Sequence, residues 1–261
     1  MGQLNNKIAL VTGGASGLGA SIGKRLAAEG AKVVITDIQD YAGKAVANDL
    51  DGEFINHDVT SEEQWGDVIH RVENTFGGLH ILVNNAGITG SMNSVSPEST
   101  TLSDWRKVQQ INADGVFLGC RAAIPALRRS GGGAIVNISS IAALIPMPDA
   151  MAYGASKATV SHITRSVALH CAQDGSKIRC NSVHPGNVLT PMVQKAMEGI
   201  AVRRGVLYEQ VVEEFKSENP HGDFLSPEDI SSVVLFLVSE ESKAVTGSML
   251  VVDGGAMLLR S

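Results

Sequence analysis

The chain has 261 residues and a formal net charge of −6, and its basic residues form no run longer than a pair. That balance argues against nucleic acid or an anionic membrane as partner. With 44% hydrophobic and 18% charged residues it can bury a large core, as one α/β domain or two small ones. Cys120, Cys171 and Cys180 lack a C-x-x-C spacing and read as buried free thiols in a reducing cytosol. No apolar stretch approaches the ~20 residues of a spanning helix. Lys7 is the only early cation, so there is no secretory pattern, and Asn6 stands where a myristoylation sequence needs Ser or Thr. A cytoplasmic enzyme-sized domain is the expectation.

Lys7 to Thr12 is a short apolar run and reads as a buried parallel strand. It enters the turn Thr12-Gly13-Gly14-Ala15-Ser16-Gly17-Leu18-Gly19, followed by a helix over Ala20 to Glu29 and a stop at Gly30. Strand, glycine turn and helix meet the requirement for cradling a pyrophosphate: glycines allow close backbone approach, and a helix N-terminus offers unpaired N–H groups. A second strand, Lys32 to Thr36, ends in Asp37, 18 residues past Gly19. An acid about 20 residues on is placed to accept hydrogen bonds from an adenosine ribose. Its carboxylate would repel the 2′-phosphate of NADP, and no Arg or Lys follows at Ile38. NAD is therefore the expected cofactor.

Glu53 to Asn56 reads as a third strand, ending at His57-Asp58-Val59. Thr60 to Glu63 has the pattern of a capping box with Thr60 as N-cap, opening a helix to about Phe76. His80 to Val83 is a fourth strand running into the small-residue corner Asn84-Asn85-Ala86-Gly87, and the polar stretch from Ile88 to Thr101 is a loop. Ser103 is expected to cap a long helix from Asp104 to about Arg129, interrupted at Asn112 and Asp114 and bent or thinned at Pro125. A polar Asn within a mostly buried helix must find partners, structural or catalytic.

Ala134 to Ile138 is the fifth strand, ending in Ser139-Ser140. A loop with Pro146 and Pro148 precedes a helix to about Gln173 that carries Tyr153 and Lys157 at i and i+4, on one face. An ammonium beside a phenol favours the phenolate, so the expected phenol pKa is below its usual ~10, towards a range useful for acid–base work. Lys177 to Val183 is the sixth strand, followed by His184-Pro185-Gly186-Asn187-Val188-Leu189-Thr190. Met192 to Pro220 reads as a mobile helical excursion, Ser226 caps a helix to about Ser239, and Ser248 to Val252 is the seventh strand. Strand–helix alternation without a composition break or repeat predicts one doubly wound parallel sheet over 1–261, with the 190–220 excursion set apart. Gly13, Asp37, Asp58, Asn85, Ser140 and Pro185 each fall just past a strand, where such sheets bind ligands.

These motifs together resemble the short-chain dehydrogenase/reductase family over nearly the whole chain: the turn Thr12 to Gly19, the corner Asn84 to Gly87, the helix Asn112, Ser140, the pair Tyr153 and Lys157, and Pro185-Gly186. Ser139 competes with Ser140 for the family's serine. The resemblance implies hydride transfer between NAD(H) and a secondary alcohol or ketone. It makes Tyr153 the general acid–base, Lys157 its partner, Ser140 the group polarising the substrate oxygen and Asn112 the anchor of a water chain. It implies a dinucleotide pocket from Gly13, Ser16, Gly17, Leu18, Gly19 and Asp37, with Asp58 and Val59 at the adenine. Asn85, Ala86, Gly87, Tyr153 and Lys157 would line the ribose side, and Pro185, Gly186, Val188 and Thr190 the carboxamide and phosphates. No metal is called for, and His57 and His184 read as packed loop residues.

Ala142 to Met151, Gly90 to Ser96 and the excursion after Thr190 are the expected substrate walls. Leu144, Ile145, Pro146, Met147, Met192, Val193 and Met197 would make them apolar, suiting a bulky alcohol. The stretch from Asn181 to Gly186 resembles that of bacterial hydroxysteroid and alicyclic alcohol dehydrogenases. A 3-oxoacyl thioester reductase, a sugar alcohol dehydrogenase and a non-catalytic dinucleotide sensor are the alternatives. The small residues along the Tyr153 helix and the tail Met257-Leu258-Leu259 suggest subunit contacts, and the resemblance implies a homotetramer.

Overall fold

The computed structural model describes residues 2–91, 93 and 95–259. Seven parallel strands form one sheet in the order β3-β2-β1-β4-β5-β6-β7. They are β1 (Ile8–Thr12), β2 (Lys32–Asp37), β3 (Glu53–Asn56), β4 (Ile81–Asn84), β5 (Gly133–Ile138), β6 (Ile178–Pro185) and β7 (Met249–Val252). Alternate residues of each strand go to opposite faces. Ile8 and Leu10 of β1 join one core cluster, while Ala9 and Val11 join the other. Helices α1 (Gly17–Ala28), α2 (Asp40–Asp49) and α9 (Pro227–Val238) cover the second face. The first is covered by α3 (Glu62–Phe76), α5 (Gly115–Arg129) and α6 (Met151–Gln173). Because both faces are covered, the central strands are continuous apolar runs, as the sequence shows.

The chain reverses its direction of growth between β1 and β4, which are hydrogen-bonded neighbours. A crevice therefore opens at their C-terminal ends, and the loops after β2, β3, β5 and β6 rise around it.

Helix starts depart from expectation where two hydroxyls compete to cap. Thr60 does not cap α3: its N–H and hydroxyl both go to Asp58 Oδ1, at 2.9 and 2.8 Å. Ser61 caps instead, accepting from Gln64 N at 3.2 Å. Likewise Thr101, not Ser103, caps α4 (Leu102–Gln109), accepting from Asp104 N at 3.1 Å. Between α4 and α5 the expected interruption is a π-helical turn, Gln110–Asp114, centred on Asn112. Helix α5 then continues through Pro125. The stretch 190–220 forms α7 (Pro191–Arg204) and α8 (Tyr208–Ser217), packed on each other through Met197, Ala201 and Val211.

Gly119 on α5 is a packing requirement. A Cβ there would meet Asn84 Oδ1 at 2.3 Å and the Trp65 ring at 2.8 Å. Both neighbours are buried, and Asn84 is held by Asn137 at 2.8 Å, so neither can retreat. Gly119→Ala is expected to destabilise the protein by about 1–3 kcal/mol through overpacking, read as a shifted urea midpoint at constant m-value. An unchanged midpoint would mean α5 is free to move outward.

Candidate active site

The sheet crevice is a cavity lined by residues from the ends of six strands and from α6 and α7. Its base is the glycine turn. Gly13 and Gly17 have φ of +64 and +53, and a Cβ on Gly13 would lie 2.8 Å from Ala86 Cα. The turn is tied to the β4 corner by Thr12 and Asn85. Thr12 Oγ1 accepts from Asn85 N and Ala86 N at 3.0 and 3.1 Å, and Asn85 Nδ2 donates to the carbonyls of Thr12 and Gly13 at 2.9 and 3.0 Å. Helix α1 begins at Gly17, three residues earlier than Ala20, and Ser16 makes no side-chain cap. The free N–H groups of its first turn stay available to an anion beside Ser16, Gly17 and Leu18.

Asp37 stands over this turn, its carboxylate fixed by Ala15 N at 3.1 Å and Gln39 N at 3.0 Å. The Gln39 side-chain amide also donates to Oδ1, at 3.4 Å, and Oδ2 keeps a lone pair for a ligand hydroxyl. The uncapped helix start, the crowded glycine cradle and the held carboxylate together fit a dinucleotide's diphosphate and ribose. Asp58 and Val59 line the same cavity after β3, with the Val59 carbonyl held by Trp65 Nε1 at 3.0 Å.

On the opposite side, Ser140 and Tyr153 both line the cavity, with the Ser140 hydroxyl near enough to favour the phenolate. Ser140 Oγ also accepts from Ala142 N at 3.1 Å. Ser139 is turned inward, its hydroxyl donating to the Lys157 carbonyl at 3.0 Å, so only Ser140 meets the phenol. Lys157 lies under the Tyr153 ring, its Nζ 5.7 Å from the centroid and donating to the Ile138 carbonyl at 2.8 Å. Burial pulls the Lys157 ammonium down to about 8. Burial also pushes the Tyr153 phenol up, with the Ser140 hydroxyl pulling the other way. This corrects the expected lowering: desolvation of the phenolate outweighs the help from its neighbours.

Of the expected dinucleotide residues, Gly13, Ser16, Gly17, Leu18, Asp37, Asp58, Val59, Asn85, Ala86, Gly87, Pro185, Gly186, Val188 and Thr190 all line the cavity, as do Ser140, Tyr153 and Lys157. Gly19 does not line it; a Cβ there would meet the Gly13 carbonyl at 2.1 Å, so it serves the packing of the turn. Asn112 is not a lining residue either. Its amide clamps Ile88, accepting from N and donating to O at 2.8 Å each, and reaches Ser156 Oγ at 3.0 Å. Of the expected apolar walls, Met192 and Val193 line the cavity, whereas Leu144 to Met147 and Met197 do not. Met197 is fully buried between α7 and α8. Within Gly90 to Ser96, Met92 and Ser94 lie outside the described residues.

Ile38, Gln39, His57, Ile88, Ile111 and Ile138 also line the cavity without having been singled out for it. Four of them sit within two residues of a strand end, and that position was the available signal. Ile111 is there only because of the π turn, which spacing does not reveal. Among the described residues no group of three or more His, Cys, Asp or Glu could hold a metal ion, and no helix is long and apolar enough to cross a membrane.

The family model described as enoyl-(acyl carrier protein) reductase matches residues 13–257. A 3-beta-hydroxysteroid dehydrogenase of Comamonas testosteroni is 42% identical over 98% of this chain and 97% of its own. An NADP-dependent (R)-specific alcohol dehydrogenase of Lentilactobacillus kefiri is 38% identical over 97% of each chain. The crystal structure of levodione reductase superposes with a TM-score of 0.90 at 32% identity, covering 97% of this chain and 98% of that one. The chain belongs to the short-chain dehydrogenase/reductase family.

His57, where the cavity meets the end of β3, makes the fold acid-sensitive. It is 1% exposed, its Nδ1 is 3.1 Å from Thr36 Oγ1, and its ring meets Trp65 edge-on. Burial lowers its pKa to about 4, with Asp58 opposing the shift. Between pH 6.5 and about 4 the unfolded chain binds a proton that the fold excludes, so stability is lost as pH falls through this window. From pH 7 to 5 the wild type should lose roughly 2 kcal/mol more than His57→Asn, measured by urea unfolding. Equal losses would mean the imidazole finds water in the native state.

Proposed function

We propose that this protein is an NAD-dependent dehydrogenase that interconverts a bulky, apolar secondary alcohol and its ketone. Ser140 and Tyr153 brought together in one cavity, with the Lys157 ammonium beneath the phenol ring, carry this reading. The dinucleotide would be held by Gly13, Ser16, Gly17 and Leu18 at its diphosphate and Asp37 at its ribose. Asp58 and Val59 would meet the adenine, and Asn85, Ala86, Gly87, Lys157, Pro185, Gly186, Val188 and Thr190 the remainder. Bound there, it supplies the hydride acceptor or donor.

The substrate oxygen then sits between two hydroxyls. Ser140 polarises it, and Tyr153 takes the alcohol proton or returns it to the ketone. Lys157 stabilises the phenolate as it forms, and its low pKa leaves it able to pass a proton on. Asn112, which fixes Ile88 beside Gly87, keeps that side of the pocket in register and would anchor the proton's way out. NAD is favoured because the Asp37 carboxylate, locked by two backbone N–H groups, makes no ion pair among the described residues, so no paired cation offsets a 2′-phosphate. The apolar rim of Met192 and Val193 suits a hydroxysteroid or cyclic alcohol, in keeping with the hydroxysteroid relative. Helices α7 and α8 would act as its movable wall, in a cytoplasmic homotetramer.

The description of the matching family favours one second reading, reduction of an acyl thioester. Asp37 and the net charge of −6 oppose it, since such a reductase usually prefers NADP and a basic surface for its carrier.

Purified protein should oxidise a hydroxysteroid or cyclohexanol with NAD at least about tenfold more efficiently than with NADP, and Asp37→Ala should narrow that ratio. Activity confined to mannitol or to acyl thioesters would overturn the substrate class, and a preference for NADP the cofactor. Tyr153→Phe should lower kcat by about 10³-fold or more while NADH still binds within about threefold of wild type, by fluorescence titration. Substantial turnover by that variant would remove Tyr153 from proton transfer.

A further inference from the structure

Strand β6 carries a buried pair that the reaction as described leaves unused. Ser182 and His184 lie at i and i+2, on one face of the strand. Their side chains touch, Ser182 Oγ to His184 Nε2 at 2.9 Å, and His184 Nδ1 lies 3.0 Å from the carbonyl oxygen of Ser140. Both residues are fully buried. A carbonyl only accepts, so Nδ1 carries the proton; Nε2 of the neutral ring then accepts from the Ser182 hydroxyl. Burial holds His184 below its ordinary pKa, opposed by the bond to the Ser140 carbonyl and helped by the nearby Lys157 ammonium, which favours this neutral form.

The location gives the contact its meaning. The β5–β6 ladder ends at the pair Ile138 and Val183, with one further bond from Ser139 N to the Val183 carbonyl at 2.8 Å. Ser140 lies past the ladder. Its carbonyl also accepts from Ala143 N at 3.1 Å, but that bond is internal to the short turn and moves with it. Among the described residues, the His184 ring gives the Ser140 carbonyl its one hydrogen bond from the sheet.

We propose that His184 is a positioning residue: its Nδ1–H, set by Ser182, fixes the Ser140 backbone and so aims the Ser140 hydroxyl at the substrate oxygen. This rests on the alcohol dehydrogenase reading. An Asn side chain can place an N–H near the Nδ1 position, whereas Gln reaches towards Nε2.

The test compares His184→Gln and His184→Asn in the full-length protein with cyclohexanol or a hydroxysteroid and NAD, alongside thermal melts and NADH titration. The Gln variant should lose about tenfold or more in kcat with NADH affinity within about twofold, and the Asn variant should recover kcat to within about threefold. Equal losses in both folded variants, or no loss in either, would overturn the proposal. Should the Gln variant not fold, long-range proton–nitrogen NMR on the wild type decides: Nδ1 protonated and Nε2 bare is expected. A ring protonated at Nε2, or at both nitrogens, overturns it whether or not turnover is seen. Absence of wild-type turnover across the alcohols would defeat the functional reading itself, an outcome distinct from any pattern among the variants.

Discussion

The bond from Lys157 Nζ to the Ile138 carbonyl joins the two elements on which the site depends. One is the helix that carries Tyr153, the other the strand that delivers Ser140. Lys157 is only 4% exposed, so its ammonium is costly to leave unpaired and is drawn to a carbonyl at the strand's end. The reverse contact, Ser139 Oγ to the Lys157 carbonyl, makes the junction reciprocal. Helix α6 therefore cannot slide along the sheet without breaking both.

The same burial that makes the junction rigid sets its acid–base character. Desolvation opposes charge on both members of the pair, pulling Lys157 down and pushing Tyr153 up. At the buried Lys157 ammonium a nearby charge therefore has a larger effect than at the surface. The half of the cavity over the glycine turn is built differently. Thr12, Asn85 and Asp37 engage backbone groups of the glycine turn and its neighbours, so its shape is set by side chains bonded to the main chain.

Much of this was legible along the chain, because the signals are local. Each strand lies within two residues of its expected place, since fully buried parallel strands are continuous apolar runs between turn residues. Side chains just past those strands were placed at the crevice by topology alone. The misread helix caps and the misplaced Met197 share a cause, competition among near-equivalent local groups. Thr60 or Ser61, and Thr101 or Ser103, offer the same hydroxyl chemistry, and Asp58 removed Thr60 from the contest. Met197 and Met192 look alike in sequence, yet one is sealed between α7 and α8 and the other faces the cavity.

The sequence by itself determined the sheet, the crevice and the pairing of Tyr153 with Lys157, because strand alternation, glycine turns and an i,i+4 spacing are short-range regularities. Only the tertiary structure decided which of Ser139 and Ser140 meets the phenol and which way the phenol pKa moves. It also decided that Asn112 braces Ile88 from behind the cavity wall. Those outcomes depend on burial and on partners distant in sequence: Lys157 for Ser139, Ser156 for Asn112, Ser140 for His184. Desolvation and hydrogen-bond geometry act between neighbours in space, and no spacing along the chain encodes them.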